Sequence, residues 1–182
     1  PMLIYPTLHY QNGGLEFNAN GSTAVPGLFV SGEVGGGIHG ANRLASNSLI
    51  EAIVFADRAA RHAVKHAPGY ELANQIPVWD DTGTTHPEEM VLITQNLKEV
   101  KQIMTNYVGI VRSDLRLERA TARLEIIYRE TEALYKKSKL SLRICQLRNL
   151  INVGYLVIKM AQARKESRGL HYNLDYPNRS GK

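Results

Sequence analysis

The sequence predicts an α+β chain, in which a strand–loop–helix unit precedes an all-α antiparallel three-helix bundle. Three observations carry this. An apolar segment, Gly27-Leu28-Phe29-Val30-Ser31, enters a glycine-rich loop, Gly32-Glu33-Val34-Gly35-Gly36-Gly37-Ile38-His39-Gly40, and then a long helical pattern. After residue 86, apolar residues recur at alternating spacings of three and four, the period of an amphipathic helix. Between these regions, Pro68-Gly69 and Ile76-Pro77-Val78-Trp79-Asp80-Asp81-Thr82-Gly83 have the composition of a linker. The domains are accordingly placed at residues 1–66, 67–85 and 86–182.

Pro1 to Phe17 reads as extended segments around Asn12-Gly13-Gly14, a turn suited to a hairpin. His9 lies just before that turn and by itself is an ordinary half-buried histidine. Asn18-Ala19-Asn20-Gly21-Ser22 is a second turn. The strand Gly27 to Ser31 comes next, and the glycine loop after it brings backbone amides close to a ligand. Glu33 sits at the strand end and Arg43 just before the helix, an arrangement suited to a ligand with hydroxyls at one end and negative charge at the other. Gly35-Gly36-Gly37-Ile38-His39-Gly40 formally matches the dinucleotide fingerprint Gly-x-Gly-x-x-Gly. The match fails its context, because Asp57 falls inside the following helix instead of on a second strand.

That helix starts at about Ser46 and runs from Leu49 to about His66. Ser46, Asn47 and Ser48 are N-cap residues, and Glu51 stands three after Ser48 in capping-box spacing. Leu49, Ile50, Ile53, Val54 and Ala60 are its expected apolar face. Its amino end presents free amides and partial positive charge. Arg43 beside that end reads equally as a surface arginine, a cap for another helix or a ligand-holding group.

The linker is expected to be irregular and partly packed through Trp79. Three seams come after it: Met90, Ile93, Leu97, Val100, Met104 and Tyr107; Leu117, Ala120, Leu124, Ile127, Thr131 and Leu134; and Leu140, Ile144, Leu147, Ile151, Gly154, Ile158 and Ala161. Pro87 with Glu88 and Glu89 starts the first helix and Ser113-Asp114 the second. Short connections near Gly109 and Ser138 make neighbours antiparallel. Cys145 lies beside the seam as a core residue. Gly169 is expected to end the third helix. The stretch Arg164 to Tyr172 concentrates charge beside His171 and is suited to folding back over the protein.

Composition bounds the function. Of 182 residues, 43% are hydrophobic, an ordinary globular value. No apolar run reaches the roughly 18 residues of a membrane span, so no membrane association is expected. No secretory leader is read, and the single cysteine fits a reducing cytoplasm. The chain opens straight into apolar sequence at Pro1-Met2-Leu3-Ile4-Tyr5-Pro6 and is expected to be a piece of a longer protein. No metal site is expected. Up to Thr85 there are 4 Lys or Arg against 7 Asp or Glu, net −3; from His86 on there are 18 against 10, net +8. The basic residues interleave with acids and lack accompanying aromatics, so solvated helical faces are favoured over nucleic acid.

His39 to Leu49 (His-Gly-Ala-Asn-Arg-Leu-Ala-Ser-Asn-Ser-Leu), together with Gly32-Glu33 and His9-Tyr10 followed by Gly13-Gly14, resembles the succinate dehydrogenase and fumarate reductase flavoprotein family. Within it, Tyr107 to Arg112 and Arg164 to Tyr172 are similar to the aspartate-oxidising branch. Gly169-Leu170-His171 stands where dehydrogenase subunits usually have Gly-Ala-His. The resemblance implies a flavoenzyme that oxidises L-aspartate to iminoaspartate in de novo NAD biosynthesis, using non-covalent FAD and oxygen or fumarate as electron acceptor. It makes residues 1–66 the carboxyl-terminal piece of a Rossmann-like FAD-binding domain. The amino-terminal FAD-binding part and the capping domain lie outside this chain, so the fragment is expected to be inactive alone, and quinolinate synthase is an implied partner.

Roles are implied by the same resemblance. Glu33 matches the acid that bonds flavin or ribityl hydroxyls. Ser48 and Leu49 match the helix-start pair facing the flavin pyrimidine ring. His9 and Arg43 match the residues that hold the C4 dicarboxylate and are the expected catalytic pair. Gly35-Gly36-Gly37 departs from the bulkier residues common there, which bears on loop geometry. Alternatives from the same residues are a fumarate reductase or succinate dehydrogenase flavoprotein subunit and a non-catalytic helical interaction module.

Overall fold

The computed structural model describes residues 9–69, 71, 74–86 and 90–181. The chain divides into two compact units, Pro1–Pro77 and Val78–Lys182.

In the first unit the chain crosses itself at close range. The Leu15 amide donates to the Val34 carbonyl at 2.9 Å, and the Gly36 amide donates to the Leu15 carbonyl at 2.9 Å, a parallel bridge between Leu15 and Gly35. Glycine is needed on both sides of this crossing. A Cβ on Gly14 would lie 2.2 Å from the Val34 oxygen, and one on Gly36 2.7 Å from the Gly14 nitrogen. Part of the glycine loop therefore serves chain-on-chain packing. The expected hairpin reaches into residues 1–8, outside the described residues; the segment after its turn pairs with the glycine loop. The expected strand Gly27 to Ser31 is reduced to one antiparallel bridge, Phe29 with Ser22. An extended segment becomes a strand only beside a partner, and Ser22 is the partner it has among the described residues.

Helix α1 spans Asn47–His66 and continues into a 3-10 turn, Ala67–Gly69. Its packed face is not the expected one. Glu51 and Ala59 are buried, Phe55 meets Phe17 edge-on at 5.1 Å, and His62 stands against Phe29. Leu49 is 70% exposed, Ile50 65% and Ile53 72%. The apolar stripe thus points away from the loops of its own unit. The capping box is not formed either. Ser46 is the N-cap in a left-handed conformation (φ 68°) with no side-chain cap bond. Asp57 lies inside α1, paired with Arg61.

In the second unit α2 (Met90–Tyr107), α3 (Asp114–Lys137) and α4 (Leu142–Ala163) each pack against the other two. The seams supply the core: Ile93 and Val100 from α2, Leu117, Ala120, Leu124 and Ile127 from α3, and Ile144, Leu147, Ile151 and Ile158 from α4 are all buried. Ile103 and Val108 join them without having been part of the expected seams, and Cys145 packs partly buried against the cluster. Thr131 is 1% exposed on the same face. Serines set the helix starts. The Ser113 hydroxyl accepts from the Arg116 amide, and the Ser141 hydroxyl from that of Ile144. The expected start of α2 at Pro87, Glu88 and Glu89 lies outside the described residues.

The linker differs from expectation at Trp79, which is 60% exposed. Instead Thr85 pairs in parallel with Ser138, its amide donating to the Lys137 carbonyl at 3.0 Å. Gly169 does not end the last helix. α4 stops at Ala163, and Gly169 (φ 59°) forms the turn that joins Arg168 to His171. That turn folds the tail back, so that β2 (Tyr172–Asn173) pairs in parallel with β1 (Val111–Arg112).

Candidate functional site

The resembling motifs at the amino end meet around Arg43. Its guanidinium carbon sits 4.7 Å from the centroid of the Tyr10 ring, and its Nε is buried without a hydrogen-bond partner among the described residues. Cation and aromatic face attract each other, which holds the arginine at one place. Below Tyr10 lies a buried acid. The Tyr10 hydroxyl donates to Glu51 Oε2 at 3.2 Å, and His39 Nε2 lies 3.0 Å from the same oxygen. A carboxylate only accepts, so His39 carries its proton on Nε2. Burial, and then the neighbouring Glu51 charge, raise the Tyr10 pKa above its ordinary value, which keeps the phenol a donor. The Tyr10 and His39 rings stand edge-on, 5.5 Å apart at 87°.

The other expected residues surround this group. His9 is exposed and directly precedes Tyr10 in the chain. Glu33 is exposed, and its Oε1 accepts the Gln11 amide at 2.7 Å. That bond fixes the carboxylate beside the segment that carries His9 and Tyr10, and the second oxygen takes no bond among the described residues. Ser48 is half-buried and Leu49 exposed in the first turn of α1. The Leu49 amide closes back on the Ser46 carbonyl at 3.3 Å, a long bond that leaves the helix end weakly satisfied. An orphaned guanidinium nitrogen, a fixed exposed carboxylate and an exposed helix start fit an anionic ligand that also carries hydroxyls.

Sequence reasoning passed over Tyr10, His39 and Glu51 as a group. Glu51 had a local explanation in the capping-box spacing, and only tertiary contact shows that its carboxylate points inward. The one available signal was an acid flanked by Leu49, Ile50 and Ile53.

A second polar cluster seals the tail of the other unit. Arg112 Nη1 donates to His171 Nδ1 at 2.8 Å, while His171 Nε2 donates to the Arg164 carbonyl at 3.1 Å. Asp114 accepts from Lys165 Nζ and the Tyr176 hydroxyl, each at 2.8 Å. Glu166 accepts from Arg164 and from the Ser180 amide. Asn173, fully buried, donates through its amide to the Ser167 hydroxyl at 2.9 Å. The two motifs at Tyr107 to Arg112 and Arg164 to Tyr172 are therefore neighbours in space. Among the described residues, Arg164 and Lys165 pair with Glu166 and Asp114, while Arg112 is held by His171 and the Val108 and Gly109 carbonyls.

The fumarate reductase flavoprotein carboxyl-terminal family matches residues 97–182, and the FAD binding domain family matches residues 1–49. An L-aspartate oxidase of Pseudomonas aeruginosa is 43% identical over 179 residues, covering 98% of this chain and 33% of that protein. One from Acinetobacter baylyi is 45% identical over 176 residues, covering 96% and 32%. A quinol-fumarate reductase structure with menaquinol molecules superposes with a TM-score of 0.74 at 27% identity, over 93% of this chain and 32% of that one. Mycobacterium smegmatis Sdh1 gives 0.71 at 28% identity, over 92% and 30%. The chain spans about a third of the length of the curated relatives it matches. No described helix is long and apolar enough to cross a membrane.

Proposed function

Because this chain belongs to the succinate dehydrogenase and fumarate reductase flavoprotein family, we propose that it is the carboxyl-terminal portion of an FAD-dependent L-aspartate oxidase. The proposed reaction converts L-aspartate to iminoaspartate in de novo NAD biosynthesis, in the cytoplasm, with oxygen or fumarate as acceptor. Residues 1–66 are read as the end of the FAD-binding domain, 67–85 as a linker and 86–182 as an antiparallel three-helix bundle with its tail. Quinolinate synthase is the proposed protein partner.

The observation that carries the reading is Arg43, seated on Tyr10 with Nε buried and unpartnered among the described residues. A guanidinium so placed is ready to grip a carboxylate with a planar fork, and the charge-assisted pair fixes the substrate's orientation. His9, exposed on the segment next to Tyr10, supplies a second polar contact for the dicarboxylate. Glu33 would accept flavin or ribityl hydroxyls. Ser48 and Leu49, in the first turn of α1, would hold the pyrimidine end through the partial positive charge of the helix. Bound FAD supplies the hydride acceptor. The exposed stripe of Leu49, Ile50 and Ile53 supports the same reading, since a face this apolar suits burial against the rest of an FAD-binding domain.

The test uses the full-length protein. Arg43→Leu should lower L-aspartate turnover by about a thousandfold while FAD stays bound, the loss expected when a charged group that orients substrate is removed. Near wild-type turnover in that variant sinks the assignment. Turnover of succinate or fumarate in place of L-aspartate moves the reading to a reductase or dehydrogenase flavoprotein. A stable, flavin-free oligomer made by the helical unit alone would favour an interaction module.

A further inference from the structure

We infer that Glu51 is a positioning residue for Arg43, acting through Tyr10 and His39. The inference rests on the dicarboxylate role proposed for Arg43 and extends it one layer inward.

Glu51 is 5% exposed, in a unit with few other buried side chains. Taking a carboxylate out of water is costly unless hydrogen bonds compensate. Among the described residues the compensation is incomplete. Oε2 takes both the Tyr10 hydroxyl and the His39 ring nitrogen, while Oε1 is buried with no partner among the described residues. A half-satisfied buried acid is a poor device for stability, and an apolar residue would fill the site at lower cost. What the acid does achieve is orientation. It fixes the phenol at its hydroxyl end and the imidazole at Nε2, and the two rings brace each other edge-on. The upper face of the phenol is the seat of Arg43.

An arginine side chain free to sample its rotamers loses much of that freedom when it grips a ligand. Seating it beforehand removes that loss from the binding step. Glu51 also lies on α1, one turn beyond Ser48 and Leu49. The same carboxylate therefore ties the arginine's aromatic seat to the helix whose amino end is proposed to face the flavin. It sets the register between the dicarboxylate grip and the cofactor without touching either.

The experiment titrates malonate, a dicarboxylate with no hydride to give, into the full-length FAD-loaded protein and reads the change in flavin absorbance. Glu51→Ala should weaken malonate binding about tenfold, the scale of losing a group that orients a ligand-holding side chain, with FAD content unchanged. Glu51→Gln, which still accepts from Tyr10, should recover most of that loss. Tyr10→Phe should weaken binding in the wild-type background and add nothing in the Glu51→Ala background, because the two changes break one chain of contacts. Wild-type affinity in Glu51→Ala, or independent losses in the double variant, overturns the inference. If Glu51→Ala fails to retain FAD, Tyr10→Phe alone decides: weakened binding supports the chain of contacts and unchanged binding refutes it. A wild-type protein that neither binds malonate nor turns over L-aspartate removes the parent reading and this inference together, whereas intact wild-type binding with indifferent Glu51 variants removes the inference alone.

Discussion

The two units solve the burial problem in opposite ways. The helical unit buries its own seams: Ile93, Leu117, Leu124, Ile144, Leu147, Ile151 and Ile158 are each 2% exposed or less. The loop-and-helix unit buries little apolar surface among its described residues, chiefly Val30 and Ala59, and turns its most apolar helical stripe outward. What it does bury is chemistry, namely Glu51 and its contacts. The helical unit is thus a finished core with ordinary energetics. The other unit buries a polar cluster around Glu51 and leaves Leu49, Ile50 and Ile53 exposed.

That contrast is open to direct challenge, and the largest effect comes first. In denaturant unfolding of this chain, Leu124→Ala should destabilise the helical unit by about 3 kcal/mol, since it removes a fully buried side chain. Ile53→Ala, at a position 72% exposed, should stay within about 0.5 kcal/mol. Equal costs at the two sites would erase the distinction.

Acid should sharpen it. His171 has its pKa lowered, by burial first and then by the Arg112 guanidinium; its bond to the Arg164 carbonyl and the Glu166 charge oppose the lowering, and the Arg164 charge adds to it. The folded state holds this ring neutral, so the unfolded state binds the extra proton. Stability is then full above the ordinary histidine value and falls as pH drops through it toward the lowered folded value. Asp114 is also lowered, mainly by its bond from Lys165, and its contribution is lost at still lower pH, below the ordinary carboxylate value. Thermal melts of the helical unit should therefore decline in two acid steps, and His171→Gln should flatten the first.

The smallest contrast lies at the helix starts. Ser113→Ala should cost about 1 kcal/mol, because the Ser113 hydroxyl caps α3. Ser46→Gly should instead stabilise by about 0.5 kcal/mol, because Ser46 holds a left-handed conformation without a cap bond. A loss at Ser46 would show that its strain is compensated by contacts that matter.

The same contrast explains what was legible in the sequence. Seams such as Leu117–Ala120–Leu124–Ile127 read correctly because a helix that buries itself against other helices imprints its period on the chain. Ile103 escaped because it flanks the strict three-four spacing. α1 misled in two respects. Its apolar face read as a core stripe, yet its unit packs against the face of Glu51, Phe55, Ala59 and His62. Glu51 fitted a local capping rule, while Tyr10 and His39 took its carboxylate from 41 and 12 residues away. Local rules cannot see such partners. Glu33 and Arg43 stand out by their places around the glycine loop, and their roles and that of His9 come from motif resemblance, whereas the contacts of Tyr10, His39 and Glu51 around Arg43 needed coordinates.

The parallel pairing of Tyr172 with Val111 has a mechanical consequence. Tension applied at the carboxyl end reaches Ser180 on Glu166 first, then Asn178 on Ser167, and then the two-residue ladder onto β1. Glu166 and Ser167 lie just past the end of α4, and Arg112 just before the start of α3, so each contact hands its share of the load to a different helix. The tail therefore spreads a pull on it over the ends of two helices instead of the end of α4 alone.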